Sequence, residues 1–149
     1  MDKVIIYTDG GCSPNPGPGG WGAVLISPSL NHEKQLYGSE PDSTNNRMEL
    51  TAAIKALEAL KRPCKVQFFT DSQYLQKAFT QGWLESWQKK NWRTAAKKPV
   101  KNKDLWLELL DLTSTHQIEW QWVKGHSNNK YNEMCDQLVH KARSEMKSK

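Results

Sequence analysis

Two aspartates close two runs that read almost alike: Val4-Ile5-Ile6-Tyr7-Thr8-Asp9-Gly10 and Val66-Gln67-Phe68-Phe69-Thr70-Asp71-Ser72. Each run is short, apolar, β-branched and aromatic, the composition of a buried strand, and each carboxylate stands where the run gives way to Gly or Ser. A single Thr-Asp of this kind can simply open a turn or cap a helix. The repetition argues for more. Two such strands laid side by side and parallel bring both acids out at one edge of a sheet, the edge where open α/β sheets place their ligands. Close carboxylates repel each other, and the pair calls for a cation.

Positive charge is just as unevenly placed. The chain carries +5 overall, yet from Gln88 to Lys103 seven basic residues (Lys89, Lys90, Arg93, Lys97, Lys98, Lys101 and Lys103) meet no acidic one, which leaves 14 basic against 16 acidic residues elsewhere. The whole excess therefore sits in one segment, interleaved with Trp83, Trp87 and Trp92. Cations beside aromatic rings suit a polyanion with flat, stackable parts, which describes nucleic acid. The same residues also read as a solvated helix face with its tryptophans turned into a core. Cys12, Cys64 and Cys135 are odd in number and lack metal-ligand spacing, so neither a disulfide framework nor a zinc site is indicated and free thiols are expected.

The elements that must position these groups follow from length and periodicity. At 149 residues the chain is read as one domain, 1–149, with enough sequence for a single core. Met1-Asp2-Lys3 leads into the first strand without a basic-then-apolar leader, and no apolar stretch approaches the roughly 18 residues of a membrane span. A soluble cytoplasmic protein with no membrane contact is expected. Val4 to Thr8, Gly19 to Ser27 and Glu33 to Gly38 predict an antiparallel meander, the last two strands joined at Pro28-Ser29-Leu30-Asn31. Thr44 to Lys61 predicts a helix capped by Thr44 or Asn45, with Leu50, Ile54, Leu57 and Leu60 on one stripe and Pro63 as a stop. Val66 to Thr70 can then run parallel to the first strand through a right-handed crossover. A short helix starts near Ser72, and the basic segment follows. Asn102 to Leu112 is helical, Ile118 to Val123 alternates as a strand with Trp120 and Trp122 on one side, and Tyr131 to about Glu145 closes the chain as a helix.

Two further acids lie on this scaffold. Glu49 is in the first turns of its helix, one residue off the Leu50 stripe, and Asp136 is in the last helix within Asn132-Glu133-Met134-Cys135-Asp136. Each alone reads as a surface carboxylate. Their context is different. Asp9-Gly10-Gly11, Asn15-Pro16-Gly17-Pro18-Gly19-Gly20, Asn45-Asn46-Arg47-Met48-Glu49-Leu50, Thr70-Asp71-Ser72-Gln73-Tyr74 and Trp122-Val123-Lys124-Gly125-His126 occur in that order. Together they resemble a type 1 ribonuclease H of the bacterial kind, from the first strand to the last helix. Any one motif is common, but five in sequence with an acid at each expected place are specific.

The resemblance implies a ribonuclease H-like α/β fold: a five-stranded mixed sheet, an antiparallel meander plus two parallel strands, flanked by helices. It implies an endonuclease that hydrolyses the RNA strand of RNA–DNA hybrids, leaving 5′-phosphate and 3′-hydroxyl ends, and that works as a monomer. Asp9, Glu49, Asp71 and Asp136 are its implied metal ligands. Such an all-oxygen set suits a hard cation, Mg²⁺ first and Mn²⁺ as substitute. Two ions roughly 3.5–4 Å apart would clamp the scissile phosphate, with Asp9 the candidate to bridge them. His126, in the loop before the last helix, is implied as an accessory proton carrier or aid to product release.

Substrate selection must separate an RNA strand from a DNA strand, and the ribose 2′-hydroxyl is the handle that marks RNA. By resemblance Asn15, Asn45, Asn46 and Gln73 reach the minor groove, while the backbone near Gly11 and Cys12 and the Glu49 carboxylate read 2′-hydroxyls. Side-chain amides suit this, since they carry donors and acceptors together. Thr44 and Asn102 look like parts of a phosphate pocket for the DNA strand, and Trp83 and Trp87 like the wall of a DNA channel. Residues 82–103 match the family's basic protrusion, with Lys89, Lys90 and Arg93 as phosphate contacts. Gly82 looks like an insertion relative to the bacterial pattern. With no separate hybrid-binding domain expected, grip on the substrate falls to the protrusion. Another metal-dependent nuclease of the same scaffold, or a binding module without catalysis, are the other classes; the four acids argue against the second.

Overall fold

The N-terminal apolar run forms a longer strand than its composition predicts. In the computed structural model, which describes residues 1–124 and 129–147, β1 spans Asp2–Cys12, so Asp9 lies within the strand and not at its end. Its partner explains the extension. β2, Gly17–Ser27, pairs antiparallel with β1 from Ile5↔Ile26 through Cys12↔Gly19, and this ladder carries Gly10 and Gly11 in spite of their poor strand propensity. β3, His32–Ser43, pairs antiparallel with β2 as far as Gly17↔Ser43, again beyond the predicted end. Between them, Pro28–Leu30 makes one tight turn that Asn31 closes in the left-handed conformation.

Helix α1, Asn45–Glu58, is capped as expected, with the Thr44 Oγ1 accepting from the Arg47 N–H at 3.2 Å. It ends three residues short of Lys61. The Ala59 and Leu60 N–H groups reach back to Ala56 and Leu57, tightening the last turn ahead of Pro63. β4, Cys64–Thr70, then runs parallel to β1, and β5, Gln117–Trp122, parallel to β4. The sheet order is β3-β2-β1-β4-β5, the meander plus two parallel strands. Between β4 and β5 lie α2, Gln73–Thr80, α3, Trp83–Lys89, and α4, Lys103–Thr113. The sequence reading gave α3 no helix of its own, although Trp83, Leu84 and Trp87 carry helical spacing. α5, Lys130–Lys147, closes the chain.

These elements form layers about the sheet. On one face Ile6, Leu50, Leu57, Val66, Phe68, Leu75, Trp106 and Leu109 form the main core. On the other, α5 sets Cys135 and Leu138 against Val24 of β2. The three cysteines are free thiols. Among the described residues no helix is long and apolar enough to cross a membrane. Trp120 enters the core, its ring 4.7 Å from Phe68 and 4.2 Å from Phe79. Trp122, predicted on the same side, is 44% exposed at the strand's end.

Candidate active site

The repeated Thr-Asp is a matter of register. Parallel pairing of β1 with β4 ends at Thr8↔Thr70, so Asp9 and Asp71 are the next residues on neighbouring strands. Both threonines are buried, and side-chain alternation turns both aspartates to the opposite face of the sheet, the face that α5 covers. The end of β4 is pinned by three bonds. Thr70 Oγ1 accepts from the Ser72 N–H at 3.0 Å, the Thr70 carbonyl accepts from the Val123 N–H at 2.9 Å, and the Trp122 indole N–H donates to the Asp71 carbonyl at 3.1 Å. The half-exposed Trp122 therefore positions Asp71 and does not fill the core.

Glycines bring the other two acids in. A Cβ on Gly10 would overlap the Met48 carbonyl and lie 2.6 Å from the Glu49 nitrogen, so only a bare Cα lets α1 rest on β1 and present Glu49 beside Asp9. In the same way a Cβ on Gly22 would lie 2.9 Å from the Cys135 carbonyl oxygen and 2.6 Å from the Leu138 Cβ. This close approach of α5 to β2 carries Asp136 to the site. Asp9, Glu49, Asp71 and Asp136, from four elements, line one open cleft of about 320 Å³ with Gly11, Cys12 and Asn45. A larger groove of about 450 Å³ runs along Lys3, Ile5, Lys65 and Gln67, but its walls mix lysine, amide and aliphatic groups without converging acids. Chemistry, not size, selects the cleft.

The acids feel one another. Burial, and then the Asp71 charge with smaller contributions from Asp136 and Glu49, pushes the Asp9 carboxyl up to about 8, against the pull of the Gly10 N–H that it accepts at 2.9 Å. Burial and Asp71 likewise raise Glu49 to about 7, opposed by a hydrogen bond with Ser72. A cluster of carboxyls that holds protons near neutrality through burial and mutual repulsion is one that a cation could relieve. The donors are all carboxylate oxygens, the set preferred by Mg²⁺ or Mn²⁺. Among the described residues no three such groups close around a single ion. Mg²⁺ needs only one or two protein carboxylates, completing its shell with water and substrate oxygens.

The expected substrate contacts divide into two groups. Near the cleft, Asn45 Oδ1 accepts from the Cys12 N–H at 2.7 Å and Asn15 Oδ1 accepts from the Asn45 N–H at 3.1 Å. Both carbonyl ends are thus used within the protein, and the NH₂ ends are the groups left to offer a ligand. Asn46 and Gln73 are exposed in the first turns of α1 and α2. Away from the cleft, Thr44 caps α1. Asn102 turns its amide inward, its Oδ1 accepting from Arg47 Nη1 at 3.2 Å and its Nδ2 donating to the Tyr74 hydroxyl at 3.3 Å. Arg47 also pairs with Asp104 at 3.0 Å, so this network joins α1 to α4.

The basic segment is less regular. Gly82 takes φ +74° with nothing within 4 Å of where a Cβ would sit, so the apparent insertion makes a left-handed turn into α3. Asn91, Trp92, Lys97 and Asn102 also have positive φ, and one bridge joins Arg93 to Pro99. Trp83 and Trp87 are half-buried, 6.2 Å apart, and Trp87 continues to Trp92 at 6.3 Å and Trp106 at 5.6 Å. These rings pack on the main core, so part of each serves the fold. Lys89 lies 3.3 Å from Glu85 one turn earlier, an exposed and therefore weak pair that offsets part of its charge. Lys90 and Arg93 are exposed. His126 lies outside the described residues.

Two residues on the cleft escaped the sequence reading. His140 and Arg143 both line it, and His140 Nε2 is 3.6 Å from Asp136 Oδ2. The signal was present as helical spacing, since residues four and seven places after Asp136 share its face.

Comparison with known proteins fits this geometry. The RNase H family model matches residues 1–144. The chain is 57% identical over 146 residues to a ribonuclease H of Hydrogenovibrio crunogenus, covering 98% of this chain and 99% of that one. It is 59% identical over 136 residues to a ribonuclease H of Caldanaerobacter subterraneus, covering 91% and 88%. Among solved structures, LC9-RNase H1, a type 1 RNase H with the type 2 active-site motif, superimposes with a TM-score of 0.86 at 28% identity, over 97% of this chain and 74% of that one. LC11-RNase H1 in complex with an RNA/DNA hybrid gives 0.71 at 25% identity, over 96% and 98%. With a family model spanning nearly all its residues and relatives more than half identical along its length, the chain belongs to the RNase H family.

Proposed function

We infer that the cleft hydrolyses the RNA strand of RNA–DNA hybrids, with divalent metal ions held by Asp9, Glu49, Asp71 and Asp136. The observation that carries this reading is the meeting of four carboxylates, from β1, α1, the residue after β4, and α5, in one cleft, two of them pushed up to about 8 and about 7 by burial and mutual repulsion. When bound, Mg²⁺ or Mn²⁺ supplies charge to activate water and to stabilise the leaving oxygen. The chain supplies the rest. Asp9 stands in β1 and Asp71 directly follows β4, whose end is fixed by hydrogen bonds, so much of their placement is made before substrate arrives. Hydrolysis at the P–O3′ bond leaves a 5′-phosphate and a 3′-hydroxyl.

The same arrangement supports discrimination between strands. Asn15 and Asn45 flank the backbone at Gly11 and Cys12, and their free NH₂ groups suit base edges and 2′-hydroxyls in a minor groove. Thr44, and Arg47 bonded to Asn102, are offered for the DNA strand's phosphate, and Lys90 and Arg93 add grip on the backbone. His126 fits the part of an accessory proton carrier, on the strength of its motif.

A labelled RNA–DNA hybrid offered beside RNA–RNA and DNA–DNA duplexes, with Mg²⁺ and with EDTA, tests this directly. RNA cleavage confined to the hybrid with Mg²⁺ is the expected result. Equal cleavage of either homoduplex makes the protein another nuclease of this fold, and binding without cleavage makes it a hybrid-binding module.

A further inference from the structure

Arg143 is the one permanently charged cation among the described residues lining a cleft that otherwise gathers carboxylates. It lies on α5 seven residues beyond Asp136 and is half-buried. Its stem is laid against β2 at Gly20, where a Cβ would meet Arg143 Cγ at 3.0 Å and the Val139 carbonyl oxygen at 2.6 Å. The guanidinium is held but poorly satisfied. Nε is buried without a hydrogen-bond partner, and Nη2 donates to the Ser13 carbonyl oxygen at a long 3.4 Å. A guanidinium stripped of water on one edge and weakly bonded on another is costly to keep unless an anion engages its remaining donors.

Its position names the anion. Arg143 sits beside the exit of β1, bonded to the Ser13 carbonyl and lining the cleft together with Cys12, and the Cys12 N–H is bonded to Asn45 on the cleft floor. On the function proposed above, a strand whose 2′-hydroxyls lie along Gly11 and Cys12 would pass its phosphates along this edge. On the same reading the DNA strand is met elsewhere, by Thr44, Arg47 and Asn102 at the N-terminal ends of α1 and α4. A planar fork with several donors is the group that engages a phosphate through two parallel hydrogen bonds.

We propose that Arg143 binds a phosphate of the RNA strand next to the scissile one, fixing that strand against the carboxylate cleft from the α5 side. This rests on the hybrid-cleaving function proposed above and adds a binding residue to it. Arg143 then supplies ground-state grip more than rate, and it offsets the repulsion that four carboxylates exert on an incoming phosphate chain.

The test compares the full chain with Arg143→Met, which keeps the packed stem over Gly20, and with Arg143→Lys, which restores a point charge. For Arg143→Met the expected result is a KM for hybrid raised about 10-fold with kcat little changed, and a slope of log affinity against log salt reduced by about 0.7–0.9. Arg143→Lys should recover the slope but only part of the affinity. Hybrids carrying one neutral methylphosphonate at successive positions of the RNA strand locate the contact. The parent should lose affinity at one linkage beside the cleavage site, and Arg143→Met should be insensitive there. Equal KM and salt slope in parent and Arg143→Met overturns the assignment, as does a lowered melting temperature with hybrid affinity intact. Failure of the parent itself to cleave the hybrid overturns the functional reading instead, so the two failures are distinct.

Discussion

The acidic cleft and the basic segment are built on opposite plans. The cleft's acids stand on one strand, at the exit of its neighbour and on two helices, seated by glycines at 10 and 22 and by the bonds that close β4. Residues 82–103 hang from a seven-residue helix and a loop with four left-handed residues after it, anchored by tryptophans on the core. Carboxylates that must meet at fixed distances need rigid supports, whereas cations that follow a polyanion need reach more than exact placement. The contrast predicts that changes in the cleft alter rate, and changes in the segment alter affinity and its salt dependence.

The largest effect should come from the cleft. Asp9→Asn removes the charge at the centre of the cluster, and hybrid cleavage should fall by at least about 1,000-fold, on the scale of losing a metal-held charge clamp. Without metal the same variant should melt higher than the parent at alkaline pH, since one repelling carboxylate is gone. Near-parental Mg²⁺-dependent turnover would separate the cleft from the chemistry. His126→Ala comes next, with turnover slowed about 10- to 1000-fold and hybrid affinity kept, the range of a positioned proton carrier. Unaltered steady-state rates would return His126 to a solvated loop.

A smaller and graded effect is expected from pH. Asp9 and Glu49 sit at about 8 and about 7 in the folded protein, above their unfolded values of roughly 4. Their protonated forms are therefore favoured by folding. In EDTA this contribution is fully present below about pH 4 and is lost as pH rises through about 7 and 8, so the melting temperature should decline across that window. Metal binding must displace the same protons. The Mg²⁺ concentration for half-maximal activity should fall by about tenfold per pH unit for each proton released between pH 6 and 7. A pH-independent half-saturation contradicts the raised values.

The basic segment should give the smallest rate effects. Lys90→Ala with Arg93→Ala should lower the salt slope by about 0.9 for each lost contact on a B-like duplex, raise KM, and weaken all hybrid sequences alike. Lys89→Ala should do somewhat less, because nearby Glu85 offsets part of that lysine's charge. Equal effects from all three would mean that the helical pair opens on binding.

How much of this could be read from the sequence also differs between the two regions. The strand pairing behind Asp9 and Asp71 was legible because a repeated pattern encodes register. Glu49 and Asp136 were visible only through the order of their motifs; nothing local marks a helical carboxylate whose position is set by a glycine on another strand. The seven-to-zero charge count was legible too, but not its apportionment, since Glu85 falls three residues before the counted window and pairs back into it. α3 was missed because its seven residues, Trp83–Lys89, offer barely two turns of helical spacing and run straight into the lysine-rich segment. His140 and Arg143 were missed for the opposite reason: the spacing was clear, but only the approach of α5 to β2 tells which face of that helix meets the cleft.

The division between rate and grip is tested most directly by single-turnover cleavage and equilibrium binding of one labelled hybrid, measured side by side for Asp71→Asn and for Lys90→Ala/Arg93→Ala. The predicted result is crossed. Asp71→Asn should bind the hybrid and leave its RNA strand intact in saturating Mg²⁺, while the double variant should bind weakly and, once saturated, cleave at close to the parental rate. Loss of rate and affinity together in both proteins would contradict the account.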